Sequence, residues 1–403
     1  MSAETFAPAD AAARYRAEFA RARARGVEPR WLEERRTAAM ARFEEAGFPT
    51  TRQEQWRFTS LAPIARTGFV RAAADGEAAR DLPVLSTDVP GGVRLLPLRE
   101  ALEAAPALVE RHLGAIAEGP LVDLNTALFE DALLVLVPPG TVTAAPVRLR
   151  HVARPHGGPA ARHPRTLIVV GRGAQATVVE SYRGEDGAVY WTNAVTEVVL
   201  EEGAILDHYK VQQEGGAAFH THTLAVVQGR DSRSRSCNIS LGGALARTDI
   251  RQRFTGPGGE CALEGLFMAR GAQHTDTHTL IDHAVPHCSS RELYKGILDG
   301  RSRGVFHGTI LVRKDAQKTD AHQVNKNLLL SREALVNSTP ALEINADDVK
   351  CRHGSTTGQL DPLALFYMRS RGLEEAEARR LLIRGFASDL VGRVGVPDLR
   401  QQL

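Results

Sequence analysis

The sequence predicts a mainly β core with a helical region on either side, and three observations lead there. From Ala132 to Asp361, short runs rich in β-branched residues are closed again and again by Gly- and Pro-containing turns. Across that stretch apolar residues almost never recur at helical spacing. Before it and after it they do, at i, i+3 and i+4, with Pro and Gly where helices begin and end. The expected boundaries are an N-terminal helical region with a linker over 1–118, a β core over 119–360 and a C-terminal helical region over 361–403.

Asp10 to Gly26 is rich in Ala and Arg and predicts a helix with a weak apolar stripe. The next helix is better marked. Pro29 sits near its start, Leu32, Ala39, Met40 and Phe43 share one side, and Gly47 with Pro49 stops it. Pro49 to Thr59 predicts a loop anchored by a packed Trp56 and Phe58, with no catalytic role. Arg71 to Gly92 shifts to Ala, Asp, Gly and Pro and predicts a linker. A single helix is expected from Leu98 to Ile116, using Leu102, Leu108, Leu113 and Ile116.

The strand rhythm starts at Ala132–Val137 and returns at 166–170, 176–179, 195–200, 205–211, 222–227, 236–241 and 308–312. Many strands in a row require a sandwich, a barrel, a propeller or a parallel β-helix. No blade signature or short repeat selects among them. Beyond the core, Asp361 can cap and Pro362 can open a helix through Leu365, Phe366 and Tyr367 that stops at Gly372. A second helix over 374–391 lines up Ala378, Leu381, Leu382, Gly385, Phe386 and Leu390. Such a stripe either joins the core or docks a partner.

Composition excludes several classes of function. A formal net charge of +2 on 403 residues gives no footprint for nucleic acid. No apolar run reaches the roughly 20 residues of a membrane span. The start lacks the apolar core of a secretory signal, and Glu4, Asp10 and Glu18 argue against a mitochondrial presequence. Cys237, Cys261, Cys288 and Cys351 are widely spaced and form no Cys-x-x-Cys pair, which fits a reducing cytoplasm. No GxxxxGK[ST] loop occurs, so any nucleotide hydrolysis in its function has to come from a separate subunit.

His274, Asp276 and His278 alternate onto one strand face and resemble a metal site, but parallel side chains along one strand seldom converge on one ion. Partnered polar residues on a sheet surface are the expectation there. His287 and Cys288 point to opposite faces if extended, and His283 is kept as a weak metal candidate.

The chemistry is expected between Lys314 and Asp361. In Val349-Lys350-Cys351-Arg352-His353-Gly354, alternation places Cys351 and His353 on one face, roughly 7 Å apart at Cα from twice the strand rise. A thiolate and an imidazole suit iron, zinc or copper, yet two ligands do not fill a tetrahedral shell. The alternative is a buried Cys beside a hydrogen-bonded His.

This stretch resembles the SufB/SufD family of the SUF iron-sulfur cluster assembly system, and within it the SufD type. The matching residues are Ala316-Gln317-Lys318-Thr319-Asp320-Ala321, Asn325 with Asn327-Leu328-Leu329-Leu330-Ser331, Pro340 with Leu342-Glu343-Ile344, Ala346-Asp347-Asp348-Val349-Lys350-Cys351, His353-Gly354, Leu365-Phe366-Tyr367 and Arg371-Gly372. The resemblance implies a right-handed parallel β-helix core. It implies a scaffold subunit without catalysis of its own that pairs with SufB and recruits the ATPase SufC through the C-terminal helices, where Leu381, Leu382, Phe386 and Leu390 are the docking candidates. It carries cluster or iron binding onto His353, with Cys351 the weaker member. The cargo is a transient iron-sulfur cluster or iron, and the purified chain can be empty of both. No cysteine lies between Cys288 and Cys351, where SufB-like chains carry their sulfur-accepting Cys. That absence disfavours a SufB-like persulfide acceptor. A β-helical polysaccharide-active enzyme would need paired carboxylates, but Asp347 and Asp348 are adjacent and point apart. A purely architectural member, with Cys351 and His353 as packing residues, is the third reading. A homodimer in isolation is compatible with all of them.

Overall fold

A computed structural model describes residues 8–23, 28–71, 83–85, 91–153 and 158–403. The core is a parallel β-solenoid whose successive strands fall alternately into two sheets. The strands are β1 (Val70–Arg71), β2 (Val84–Leu85), β3 (Arg94–Pro97), β4 (Leu133–Val137), β5 (Val147–Ala153), β6 (Ala160–Arg162), β7 (Arg165–Val170) and β8 (Gln175–Gly184). The regular coils follow with β9 (Tyr190–Leu200), β10 (Ile205–Gln213), β11 (Phe219–Gln228), β12 (Arg233–Ser240), β13 (Leu245–Phe254) and β14 (Glu260–Ala269). The last are β15 (His274–His283), β16 (Ser289–Leu298), β17 (Arg303–Val312), β18 (Asp320–Leu329), β19 (Leu335–Ile344) and β20 (Lys350–Gln359). One sheet runs β19-β17-β15-β13-β11-β9-β7-β4-β3 and the other β2-β5-β8-β10-β12-β14-β16-β18-β20. Of the architectures left open by strand rhythm, the solenoid is the one that forms.

A coil takes roughly thirty residues, as the pairing of Val178 with His208 and of Gln323 with His353 shows. Alternation sends every second side chain inward, and the inside is only partly apolar. Leu149, Val178, Leu206, Leu224, Ile250, Leu263 and Phe306 form an inner cluster. Beside it sits a buried polar group. His208 Nε2 lies 2.9 Å from Glu180 Oε2, and Thr196 Oγ1 donates to the same carboxylate. Lys210 Nζ donates to Thr248 Oγ1 at 2.8 Å, and His220 Nδ1 lies 2.7 Å from Glu214 Oε2. Burial pushes the Lys210 ammonium down to about 7, opposed by Glu214 and Glu180. Such groups persist in a dry interior because they satisfy one another.

The ends of the solenoid differ. At the N-terminal end each sheet stops in a short antiparallel strand, β3 on β4 and β2 on β5. At the C-terminal end β19 and β20 are the last strands of their sheets, ten residues each, with one side of each ladder bare.

Helices α1 (Pro8–Arg23), α2 (Arg30–Ala46), α3 (Ala62–Thr67), α4 (Leu98–Ala104), α5 (Pro106–His112) and α6 (Pro120–Leu128) precede the regular coils. In α2 the buried side carries Leu32, Ala39, Met40 and Phe43, as its spacing predicts, and Gly47 ends it at φ 63°. The expected single helix over Leu98–Ile116 is instead two. Pro106 lacks the N–H that an unbroken helix would need there, so it opens α5 after a break at Ala105. The end of the first helix near Gly26, and most of the linker expected over Arg71–Gly92, lie outside the described residues.

The N-terminal region is fastened to the outer face of the first sheet by buried charge. Arg165 Nη2 donates to Glu197 Oε2 at 2.6 Å, both side chains being fully buried. The Glu197 carboxylate also accepts the backbone N–H groups of Gly114, Ile116 and Ala117. Trp56 packs as expected, under the Arg247 guanidinium at 3.6 Å, but Phe58 is exposed. The indole claims the available site on the sheet, and the phenyl two residues later is left outside it.

At the other end come α7 (Pro362–Ser370), α8 (Glu375–Val391) and α9 (Pro397–Gln402); α8 and α9 fold back over the outer face of the second sheet, while α7 packs beside α8 without burying a residue. Leu390, Val394, Val396 and Leu399 bury against Val179, Tyr209, Ile239, Leu266 and Ile297. Lys295 fixes the crossing by donating to the Phe386 carbonyl at 2.6 Å and pairing with Asp389. Replacing Arg165 by Met should lower stability by about 3–5 kcal/mol, because it strands a buried carboxylate. Chemical denaturation measures this, and a loss below about 1 kcal/mol would show that the pair does not hold the N-terminal region.

Candidate functional site

The local sequence around Cys351 explains its placement. Ala346 buries at the turn before β20, Val349 and Cys351 pack against Ile310, Val312 and Ala321, and these few contacts set the register of the last strand. Cys351 pairs with Ala321 and His353 with Gln323 across the β18–β20 ladder. Directly paired residues of a parallel ladder share a face. Since Ala321 and Gln323 are buried inside the coil, Cys351 and His353 belong to the inner face of the final turn, with no further coil above them. Cys351 is half-buried and His353 exposed. Burial holds the Cys351 thiol above its ordinary value, opposed by the backbone N–H of Ala321.

Beneath these two side chains the end of the lumen is polar. Gln323 Nε2 donates to Glu292 Oε2 at 2.7 Å, so Glu292, Gln323 and His353 form one column over three successive strands. Burial pushes the Glu292 carboxyl up to about 7, opposed by hydrogen bonds from Thr279 and Gln323. Ser355 lies 2.8 Å from Ser338, whose hydroxyl donates to Asn325 Oδ1. Asn327 Nδ2 donates to the same oxygen at 2.6 Å. The sequence gives little sign of Gln323, Ser338 and Ser355 as neighbours of the site, since they come together only through the coil register.

The other candidates scatter. His283 is buried inside the coil with Nε2 2.9 Å from Ser290 Oγ and its ring against Phe254, and burial pushes it down to about 4. Its imidazole is thus partnered within the coil. Asp276 is fully buried, accepts from Arg247 and from Thr59, and lies 3.1 Å from His278 Nε2. Together with His274, which bonds Thr59 at 2.8 Å, these residues fasten the loop 49–59 to the sheet, as the polar-surface reading expects. Among the described residues no group of three or more His, Cys, Asp or Glu side chains could hold a metal ion. Cys351 and His353 are at most half a coordination shell within this chain.

On the C-terminal helices the expected stripe divides. Leu390 is fully buried, and Phe386 with Ile383 packs on the sheet. Leu390 is corrected from docking residue to anchor, because its side chain is consumed in fixing α8. The open apolar surface lies one helix earlier. Leu363 is 76%, Phe366 70% and Tyr367 59% exposed, with Leu381 at 43% beside Leu382 on α8. The i, i+3, i+4 spacing of Leu363, Phe366 and Tyr367 was the signal for that face. Asp361 caps α7 as expected, accepting the Leu363 N–H at 2.9 Å.

Comparison with protein families identifies the SufBD core domain of SUF iron-sulfur cluster assembly over residues 152–386 and the SufBD N-terminal region over 84–149. The chain belongs to the SufBD family. It is 30% identical to the iron-sulfur cluster assembly protein SufD of Escherichia coli, covering 89% of this chain and 88% of that one. A SufBD family protein of Synechocystis, slr0076, is 32% identical over 94% of this chain and 91% of its own length. Protein ABCI7 of Arabidopsis thaliana chloroplasts is 31% identical over 85% and 74%. The SufBD core model thus spans the coils, the terminal strand with Cys351 and His353, and most of α8.

Thiol reactivity should follow this placement. Burial pushes Cys237 and Cys261 up to about 12, so in the native protein iodoacetamide should modify Cys351 first and leave those two intact until unfolding. Peptide mass mapping over time checks this; modification of Cys237 or Cys261 at the rate of Cys351 would contradict it.

Proposed function

We propose that this chain is a SufD-type scaffold subunit that pairs with SufB through the terminal coil, recruits SufC through α7 and α8, and uses His353 with Cys351 to hold iron or a nascent cluster at the joint. The observation that carries the reading is the pair of bare ten-residue edges, β19 and β20, with both candidate ligands on the inner face of the outermost strand. An uncovered parallel edge of that length offers a row of unpaired N–H and C=O groups to another chain. Two ligands on such an edge leave room for sulfide or a partner's thiolate to complete the shell and later release the cluster.

ATP hydrolysis is assigned to SufC, since the chain has no phosphate-cradling GxxxxGK[ST] loop. The exposed Leu363, Phe366, Tyr367 and Leu381 supply an apolar face of the size of one helix pair for that ATPase. The cytoplasm is the proposed compartment. The four cysteines are free thiols, and among the described residues no helix is long and apolar enough to cross a membrane.

Anaerobic reconstitution of the chain co-expressed with SufB and SufC tests the role of His353. His353→Ala should leave the complex assembled while iron, acid-labile sulfide and the visible absorption of the cluster fall severalfold. Full cluster yield in that variant would reduce His353 to a packing residue. Phe366→Asp should separate SufC from the complex while SufB stays bound, because a charge in an apolar hot spot costs about 2 kcal/mol or more. Retention of SufC at wild-type stoichiometry in a pull-down would place its contact elsewhere.

A further inference from the structure

We infer that the cleft between the outer face of the coil at β5, β8 and β10 and the helix α9 is a binding site for a small phosphate-bearing molecule. The cleft has a volume of about 610 Å³, within the range of small-molecule sites, and lies apart from both the terminal coil and the exposed face of α7. Arg148 and Arg150 are two residues apart on β5 and share its outer face. Arg183 on β8 pairs with Val152, so it stands one strand across and one outward position along from Arg150, about 8 Å away at Cα from strand spacing and rise. With Arg148 held by Asp398, the arms of Arg150 and Arg183 over that patch of sheet can reach one polyanion, and their planar forks match phosphate oxygens in pairs.

The charge balance favours an anion. Arg148 donates to Asp398 Oδ1 at 2.8 Å, whereas Arg183 donates only to the neutral Gln213 Oε1 at 3.0 Å. Among the described residues Arg150 has no acidic partner. Among the described residues, Arg150 and Arg183 therefore have no carboxylate partner in a cleft whose one carboxylate, Asp398, is taken by Arg148. Val179 and Val211 on the sheet and Leu399 on α9 close the floor of the cleft but are buried against one another, so recognition falls to the charged groups. Exposed guanidinium groups over a closed apolar floor suit a compact polyanion.

Calorimetric titration of the full chain with pyrophosphate, ADP and adenosine at fixed ionic strength tests this, using wild type, Arg150→Glu and Arg183→Glu. Both arginines are exposed, so each variant should keep the wild-type circular dichroism and unfolding midpoint. The expected result is saturable binding of pyrophosphate and ADP, weakened about tenfold or more by either charge reversal, with adenosine alone much weaker. No saturable binding of either phosphate compound, or binding that both reversals leave intact, would overturn the site.

Discussion

A parallel ladder satisfies its backbone groups only where another strand lies beside it, and every feature of this molecule answers to that constraint. Within the solenoid each strand has a neighbour on both sides, so the walls need no help. The two ends do. At the N-terminal end the problem is made small, because the ladders finish in antiparallel strands of two and four residues, β2 and β3. At the C-terminal end it is left at full size, since β19 and β20 each expose a ten-residue edge. An edge that a monomer would ordinarily blunt is kept long and regular, and the chain turns away from it at Asp361 to build helices on the flank instead.

That asymmetry ties packing to chemistry. The register that brings His353 next to Gln323 is the same one that leaves it on the rim of the lumen, and it is fixed by small apolar contacts of Ala321, Ala346, Val349 and Cys351. Further down the coil, the Glu180–His208 and Glu214–His220 pairs show that the interior tolerates charge when it is paired and hydrogen-bonded. Burying such groups stabilises little by itself, but it penalises every register in which partners fail to meet. We regard them as devices that hold successive coils in step, so that the last one presents its inner face at the right height.

Much of the fold was legible in the sequence, and the failures have physical causes. The strand rhythm, the Asp361 cap and the apolar side of α2 depend on local chemistry and could be read directly. The coil period was hidden because its length varies and because lumen residues such as His220, His222 and Gln252 are polar, so alternation of apolar and polar residues breaks down along β11 and β13. For the same reason β13 and β16 were not marked as strands, with charged residues outside and polar ones such as Thr248, Gln252, Ser290 and Glu292 within. The split at Pro106 was legible in principle, since a proline interrupts the helical pattern there. In the candidate site, alternation sufficed to put Cys351 and His353 on one face, but whether that face lies inside or outside the coil depends on pairing with β18. The exposed face of α7 was likewise visible as spacing, while the burial of Leu390 depends on Lys295 and on a sheet surface assembled from distant strands.

The central claim is that the β19–β20 edge is completed by another chain. Hydrogen–deuterium exchange measured on the chain alone and in complex with SufB addresses it most directly. The account predicts that the alternate amides along 335–344 and 350–359 that point away from β17 and β18 exchange rapidly in the free chain and become strongly protected in the complex, while the coils from β9 to β16 are protected in both. A stable complex in which β19 and β20 exchange as fast as in the free chain would contradict it.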